Sequence, residues 1–267
     1  MPPTTGQLAL LVVAMLLYAA GGVLSVVRAW SDTRRMHRVS RVFLGTGIVA
    51  SLGVIVWHAG SRRSWLPIED NFDALVWLAT LLAIFTLYVH HNRPLGGLDW
   101  FVMPVVLVLL MASLFVGKTE YRPYVTSTWS WVHRVTILGG VIGFAIAAAS
   151  GAMYVLTSQR LRQKEPVSPF FGSLERTEHL TMTAVTLGFA LLTIGLVTGG
   201  VLLLAGRAHT PTIIVLAGVV WLIYAVVLHA PINPSFRGRK VAVLSMVGFV
   251  LMLGTLVTVL LIPGAPR

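Results

Sequence analysis

The sequence predicts an all-α fold, a polytopic membrane helix bundle of about eight transmembrane helices with both termini outside. Three observations carry that expectation. Apolar residues fill 56% of the 267 positions, charged residues only 11%, and mean hydropathy is +0.84; a soluble core of this length needs more charge to cover its surface. The apolar residues come in runs bounded by charge or proline, each near the roughly 20 residues needed to cross a hydrocarbon slab about 30 Å thick. Eight crossings use about 160 residues, which leaves short loops and no room for a soluble domain of ordinary size.

Taken in order, the runs predict helices over about 6–29, 41–59, 72–91, 98–117, 129–157, 179–205, 211–230 and 240–262. The first has no basic residue before Gln7 and is about twice as long as a signal-peptide core, so it is expected to stay in the mature protein. His58 ends the second run, His90 and His91 end the third, His133 begins the fifth and His229 ends the seventh. The fifth carries Gly139, Gly143, Ala147 and Gly151 at steps of four, and the sixth carries Gly195 and Gly199. Small residues so spaced let membrane helices approach closely, and the same stripe also suits a cofactor slot. The whole chain, 1–267, reads as a single transmembrane domain. Its longest inner loop, Gln163 to Thr177, suggests a subdivision into five helices over 1–160 and three over 178–267.

Lys and Arg set the expected orientation. One set of loops holds Arg28, Arg34, Arg35, Arg38, Arg41, Arg93, Arg160, Arg162, Lys164, Arg176, Arg237, Arg239 and Lys240, thirteen in all. The other holds seven: Arg62, Arg63, Lys118, Arg122, Arg134, Arg207 and Arg267. The richer set belongs in the cytoplasm, which puts both termini outside and requires an even number of spans. These short basic clusters also account for the net charge of +11 without nucleic acid, for which the chain lacks an extended polar surface. The absence of Cys removes disulfides, thiolate metal ligands, a dithiol redox centre and the C-x-x-C-H attachment site of a c-type cytochrome. All nine acidic residues fall in loops or at helix ends, so the midplane carboxylate typical of ion-coupled transporters is missing.

Histidine is then the side chain best able to carry chemistry. Of the eight, His37, His179 and His209 suit solvated or structural roles. His58 and His133 fall at the expected outer face; His90, His91 and His229 fall at the inner. Imidazoles from two helices at each face suit axial ligation of a haem held between apolar walls, and equally suit residence at the headgroup level. Trp57, Trp65, Trp129 and Trp131 flank the outer pair as an interfacial belt would. Arg62, Arg63, Arg122 and Arg134 suit either haem propionates or lipid phosphates.

The stretch Ser127-Thr128-Trp129-Ser130-Trp131-Val132-His133, followed by a Gly/Ala-rich helix, resembles the S-x-W-x-x-x-H segment of CcsA-type cytochrome c assembly proteins. Leu66-Pro67-Ile68 with Asn71-Phe72-Asp73-Ala74-Leu75 resembles the outer loop of that family. Leu187-Gly188-Phe189 to Gly199, Trp221 to His229, and Phe236-Arg237-Gly238 resemble its last three helices, so the likeness runs in order over roughly 40–260. The resemblance implies that haem is received in the membrane and presented outside to apocytochrome c. It implies that His133 is an external haem-iron ligand and His229 an intramembrane one. Two features depart from the pattern. The Trp-rich presenting loop expected between the sixth and seventh helices is reduced to about Gly206 to Thr210, and the tail Ile262 to Arg267 offers no second external His. Those losses are similar to the shorter HemX/YpjD-like branch.

The expected function is haem handling in cytochrome c assembly, with haem b as cofactor or cargo and no hydrolytic or thiol site. His133, His229, His58, His90 and His91 are the candidate ligands, and Trp129, Trp131 and Arg134 line the outer site. Expected partners are the lipid bilayer, another membrane protein of the assembly machinery and apocytochrome c, with no nucleic acid. The expected location is a bacterial-type inner (cytoplasmic) membrane. The alternatives are a scaffold or regulatory subunit without haem and a transporter of haem or another hydrophobic solute.

Overall fold

The computed structural model describes residues 3–28, 34–62, 70–92, 97–116, 127–164, 173–205, 211–230, 232, 236 and 238–261. These form eight helices, α1 (Thr5–Arg28), α2 (Arg34–Arg62), α3 (Asn71–Asn92), α4 (Leu98–Val116), α5 (Thr128–Arg162), α6 (Leu174–Leu204), α7 (Pro211–Leu228) and α8 (Arg239–Leu261), with no strand among the described residues. Seven are long and apolar enough to cross a membrane; the apolar stretch of α7, Thr212–Leu228, is shorter. The 18 residues of α7 rise about 27 Å, just under the hydrocarbon thickness of about 30 Å. Leu16, Val23, Val49, Phe115, Leu187, Val215 and Val250 are each more than half exposed. Apolar faces of that extent on so many helices match a lipid solvent. The all-helical, multi-pass membrane architecture read from the sequence is therefore the one found.

Three helices outrun their apolar stretches. Apolar patterning marks the hydrocarbon crossing, whereas backbone bonding continues until a cap stops it. Thus α2 starts at Arg34 and α5 runs 35 residues to Arg162. Just past α5, Lys164 takes a φ of 55°. The hydroxyl oxygen of Ser173 accepts from Arg176 N at 3.2 Å and starts α6 five residues before the expected 179.

Helices α1–α4 make one compact unit and α5–α8 another. In the first, buried Tyr18 of α1 lies 3.0 Å from Ser51 Oγ of α2. Its ring takes the space beside Gly47, where an added Cβ would come within 2.9 Å of Tyr18 Cε1. Ser25 of α1 donates to Asp99 Oδ2 of α4 at 2.7 Å. Such interhelical hydrogen bonds carry weight in lipid, where hydrophobic burial does not distinguish a neighbouring helix from an acyl chain.

In the second unit α5 is the spine. A Cβ on Gly143 would lie 2.9 Å from Gly188 Cα and 3.0 Å from Ala184 O of α6, and one on Gly151 would lie 3.0 Å from Ala242 O of α8. The small-residue stripe of α5 is thus a surface of backbone approach to two neighbours. Thr181 of α6 donates to Ser150 Oγ of α5 at 2.9 Å. Helix α7 is fixed by Trp221, whose Nε1 donates to Thr193 Oγ1 of α6 at 2.9 Å, and by Tyr224, which donates to Ser245 O of α8 at 3.0 Å. Tyr224 also stacks on Phe144 of α5, with ring centroids 3.6 Å apart and planes 7° apart.

Candidate functional site

His133 lies in the second turn of α5, partly buried against α6. Its Nδ1 is 2.8 Å from Gly195 O. A carbonyl only accepts, so Nδ1 carries the proton and the neutral ring keeps its lone pair on Nε2. Thr198 Oγ1 is 3.4 Å from the same Nδ1 and lies 2.8 Å from Ile194 O and 3.0 Å from Gly195 O. The ring occupies the space a side chain at Gly199 would need, since an added Cβ would sit 3.0 Å from His133 Cε1 and 3.3 Å from Nδ1.

His229 follows α7 in a turn, and its Nδ1 is 2.7 Å from Ala225 O. It satisfies one of the carbonyls that a helix end leaves without a partner, is exposed, and likewise keeps its lone pair on Nε2. The Tyr224 to Ser245 bond and the Gly151 to Ala242 approach place the end of α7 near the start of α8 and the later turns of α5. From His133 to Gly151 α5 advances about 27 Å. The α5–α8 unit therefore carries His133 near one of its ends and His229 near the other.

In the α1–α4 unit, His58 and His90 each face a carboxylate. His58, at the end of α2, is 1% exposed, with Nδ1 2.8 Å from Asp73 Oδ1 of α3. One turn further along α2, Arg62 sets Nη1 2.9 Å from Asp70 Oδ2 and its other Nη against Asp73. Asp70 also caps α3, its Oδ1 accepting from Asp73 N at 2.8 Å. Phe72 meets the His58 ring edge-on at 5.1 Å. Burial raises Asp70 above the ordinary carboxylate value; the neighbouring Asp73 charge adds to the rise, and the Asp73 N–H, Arg62 and His58 oppose it.

His58, Asp70 and Asp73 place ligand atoms within 4.8 Å of one another. The Arg62 guanidinium already supplies positive charge to both carboxylates, which makes the cluster an ion-pair clasp between α2 and α3 and leaves a second cation little to gain. At the other end of α3, His90 Nδ1 is 3.3 Å from Asp99 Oδ1, and the Asp99 side chain is 5% exposed.

The remaining sequence candidates are less enclosed. His91 and Trp129 are exposed, and Trp131 and Arg134 are partly so. His179 is exposed. The expected outer set takes His58 from α1–α4 and His133 from α5–α8; the inner set takes His90 and His91 from the first unit and His229 from the second. Trp65, Leu66 to Ile68, Arg63, Arg122, His209, the link Gly206 to Thr210 and the tail after Leu261 lie outside the described residues, as does the side chain of His37. Sequence reasoning missed Asp73, Asp99 and Gly199 as neighbours of His58, His90 and His133. The spacing of Asp70 and Asp73 ahead of an apolar run is a capping signal, and His58 and Arg62 share a helix face at i, i+4.

Comparison with known proteins matches residues 65–265 to the model of the family described as Cytochrome C assembly protein. The chain belongs to this family. The match covers His90, His91, His133 and His229 and begins after His58. Among relatives, the chain is similar to the cytochrome c biogenesis protein CcsA of Guillardia theta, 21% identical over 262 residues and 86% of each chain. It is also similar to the CcsA of a strain of Prochlorococcus marinus, 22% identical over 223 residues and 70% of each. The CcsA of Thermosynechococcus vestitus is 30% identical over 171 residues, 57% of this chain and 51% of the relative. As a member of the cytochrome c assembly family, the chain carries most of its matched length in helices α3 to α8.

Proposed function

We propose that this chain handles haem during cytochrome c biogenesis, holding haem b within a bacterial-type cytoplasmic membrane for delivery toward the outer face and apocytochrome c. One observation carries the reading beyond the family: the His133 imidazole is fixed by the Gly195 carbonyl through Nδ1, with Nε2 left as the donor nitrogen. Iron-ligating imidazoles are held in this way, one nitrogen on an oxygen acceptor and the other on the metal. The residues present suit the group. Imidazole is a common axial donor for haem iron, and Gly199 leaves the ring the room it occupies.

Haem supplies the iron and the hydrophobic macrocycle; the chain supplies the nitrogen donors and an apolar setting. His133 is the ligand at the end of α5–α8 that the positive-inside rule puts outside, with Trp129, Trp131 and Arg134 close by in sequence to pack the ring and meet a propionate. His229 is the ligand at the opposite, inner end. His58, His90 and His91 are further candidates within α1–α4. The chain acts as an assembly factor alongside another membrane protein. A scaffold reading draws on the short α6–α7 link, which has six residues, Ala205 to Thr210.

Absorbance of the purified protein from haem-replete cells, before and after reduction, tests the proposal. A Soret band that survives detergent, and that is lost or shifted in His133→Ala, is the expected result. Colourless protein that still co-purifies with a membrane partner overturns the haem reading in favour of the scaffold.

A further inference from the structure

Helix α6 presents an unusual surface to His133. Gly195 contributes a carbonyl, Thr198 a hydroxyl and Gly199 the lack of a side chain, all within one turn. Each contact limits the ring differently. The carbonyl selects the tautomer, because only a protonated Nδ1 can donate to it at 2.8 Å. The hydroxyl lies 3.4 Å from the same nitrogen, on the flank of that bond. Gly199 sets how close the ring comes, since a methyl there would stand 3.0 Å from Cε1, tighter than ordinary van der Waals contact. Gly200, the next residue, has nothing within 4 Å of its added Cβ. The close approach therefore belongs to position 199 and is not a general property of the two glycines.

We propose that Gly199 is a positioning residue: with the Gly195 carbonyl beside it, it forms a seat on α6 that holds His133 as the Nδ1–H tautomer and aims Nε2 as a donor. The role of that donor rests on the haem reading above; the seat itself does not. An alanine at 199 pushes the ring by a few tenths of an ångström and turns Nδ1 off the carbonyl. The proton is then no longer confined to Nδ1, and the ligand loses both its orientation and the oxygen partner that strengthens it. Loss of such an outer partner costs about 10- to 100-fold in metal affinity.

The test compares Gly199→Ala with Gly200→Ala in the whole chain in detergent. Both make the same chemical change, and alanine is the better helix former at each. Nitrogen-15 spectra of His133 in haem-free protein report the tautomer directly. The parent and Gly200→Ala should each show a single Nδ1–H form, and Gly199→Ala a mixture. Haem dissociation should be about 10- to 100-fold faster in Gly199→Ala than in Gly200→Ala.

A His133→Gly background guards against a simple folding defect. With the ring gone there is nothing for the methyl to displace, so Gly199→Ala should change thermal stability there no more than Gly200→Ala does. A single Nδ1–H tautomer in Gly199→Ala, or equal damage in the His133→Gly background, overturns the seat. If His133→Ala retains haem as the parent does, the ligand assignment fails while the tautomer result still decides the seat. If His133→Ala loses haem and Gly199→Ala behaves as Gly200→Ala, the assignment stands and the seat fails.

Discussion

Replacing Asp73 by alanine should be among the most damaging single changes in the α1–α4 unit. The Asp73 side chain is 1% exposed and serves two partners, the His58 Nδ1 at 2.8 Å and the Arg62 guanidinium, whose side chain is 9% exposed. Removing one member of a buried ion pair typically costs about 3–5 kcal/mol, because the other charge stays buried without compensation. Two local features adjust that figure. Asp70 still accepts from Arg62 at 2.9 Å, which lowers the cost; a buried Nδ1–H on His58 loses its acceptor, which adds about 1–3 kcal/mol. The two roughly cancel, and the expected loss is about 4 kcal/mol.

Asp73→Asn separates the contributions, since its side-chain oxygen can still accept from His58 while the charge is gone. It should cost clearly less. In a double-mutant cycle with His58→Ala, the coupling should be about 1–2 kcal/mol, as for residues sharing one hydrogen-bonded network. Reversible unfolding in mixed micelles, followed by helicity, measures all three. A loss below about 1 kcal/mol for Asp73→Ala, the range of exposed ion pairs, would refute the argument, since it would mean that water already reaches the cluster.

Two other perturbations follow from the same geometry. For Asp70 the folded value is raised above the ordinary 3.8 by burial and by Asp73. Its contribution to stability is therefore full below the unfolded value and lost as pH rises through the raised folded one. Asp70→Asn keeps a side-chain oxygen for the α3 cap and removes that titration. The unfolding midpoint of the parent minus that of Asp70→Asn should rise as pH falls from neutral toward the ordinary carboxylate range, and the opposite slope would contradict the sign. On α5, Gly143→Ala should cost about 1–3 kcal/mol by forcing two backbones apart. Gly139→Ala should cost less, because its Cβ meets the movable Leu191 side chain, Cδ1 nearest at 2.8 Å, and no backbone atom among the nearest neighbours; the same unfolding measurement ranks the two.

The helices were legible because a bilayer imposes a length on each crossing, and the runs ending at His58, His91 and His229 lie within a few residues of the ends of α2, α3 and α7. Where α2, α5 and α6 run on, the cause is backbone capping and charged helix formers, to which hydropathy is blind. The stripe Gly143 to Gly151 was legible as a contact surface for a similar reason: spacing of four on one helix is visible without knowing the neighbour. Partners on other helices were not. Asp73 is 15 residues from His58 and Gly195 is 62 from His133, and no periodicity links positions whose helices must first be known to touch. Gly199 shows the limit most clearly. Its spacing from Gly195 suggests helix packing, yet what approaches it is an imidazole.

The two units support their histidines in different ways, and the difference bears on which imidazoles can meet a cargo. In α1–α4, His58 and His90 face carboxylates, and their side chains are 1% and 6% exposed. A buried imidazole against an anion ties helices together, and freeing its ring would expose a charge that lipid does not solvate. In α5–α8, His133 and His229 rest on neutral helix carbonyls, the first half-buried and the second exposed. Such a ring is oriented through Nδ1 without an added charge, so a ligand that meets Nε2 leaves nothing ionic stranded behind it. Exchange of a flat, apolar cargo is less costly at that second kind of site. On this ground we propose His133 and His229 ahead of His58 and His90 as the imidazoles that meet a cargo, with the α2–α3 and α3–α4 pairs holding the frame of their own unit.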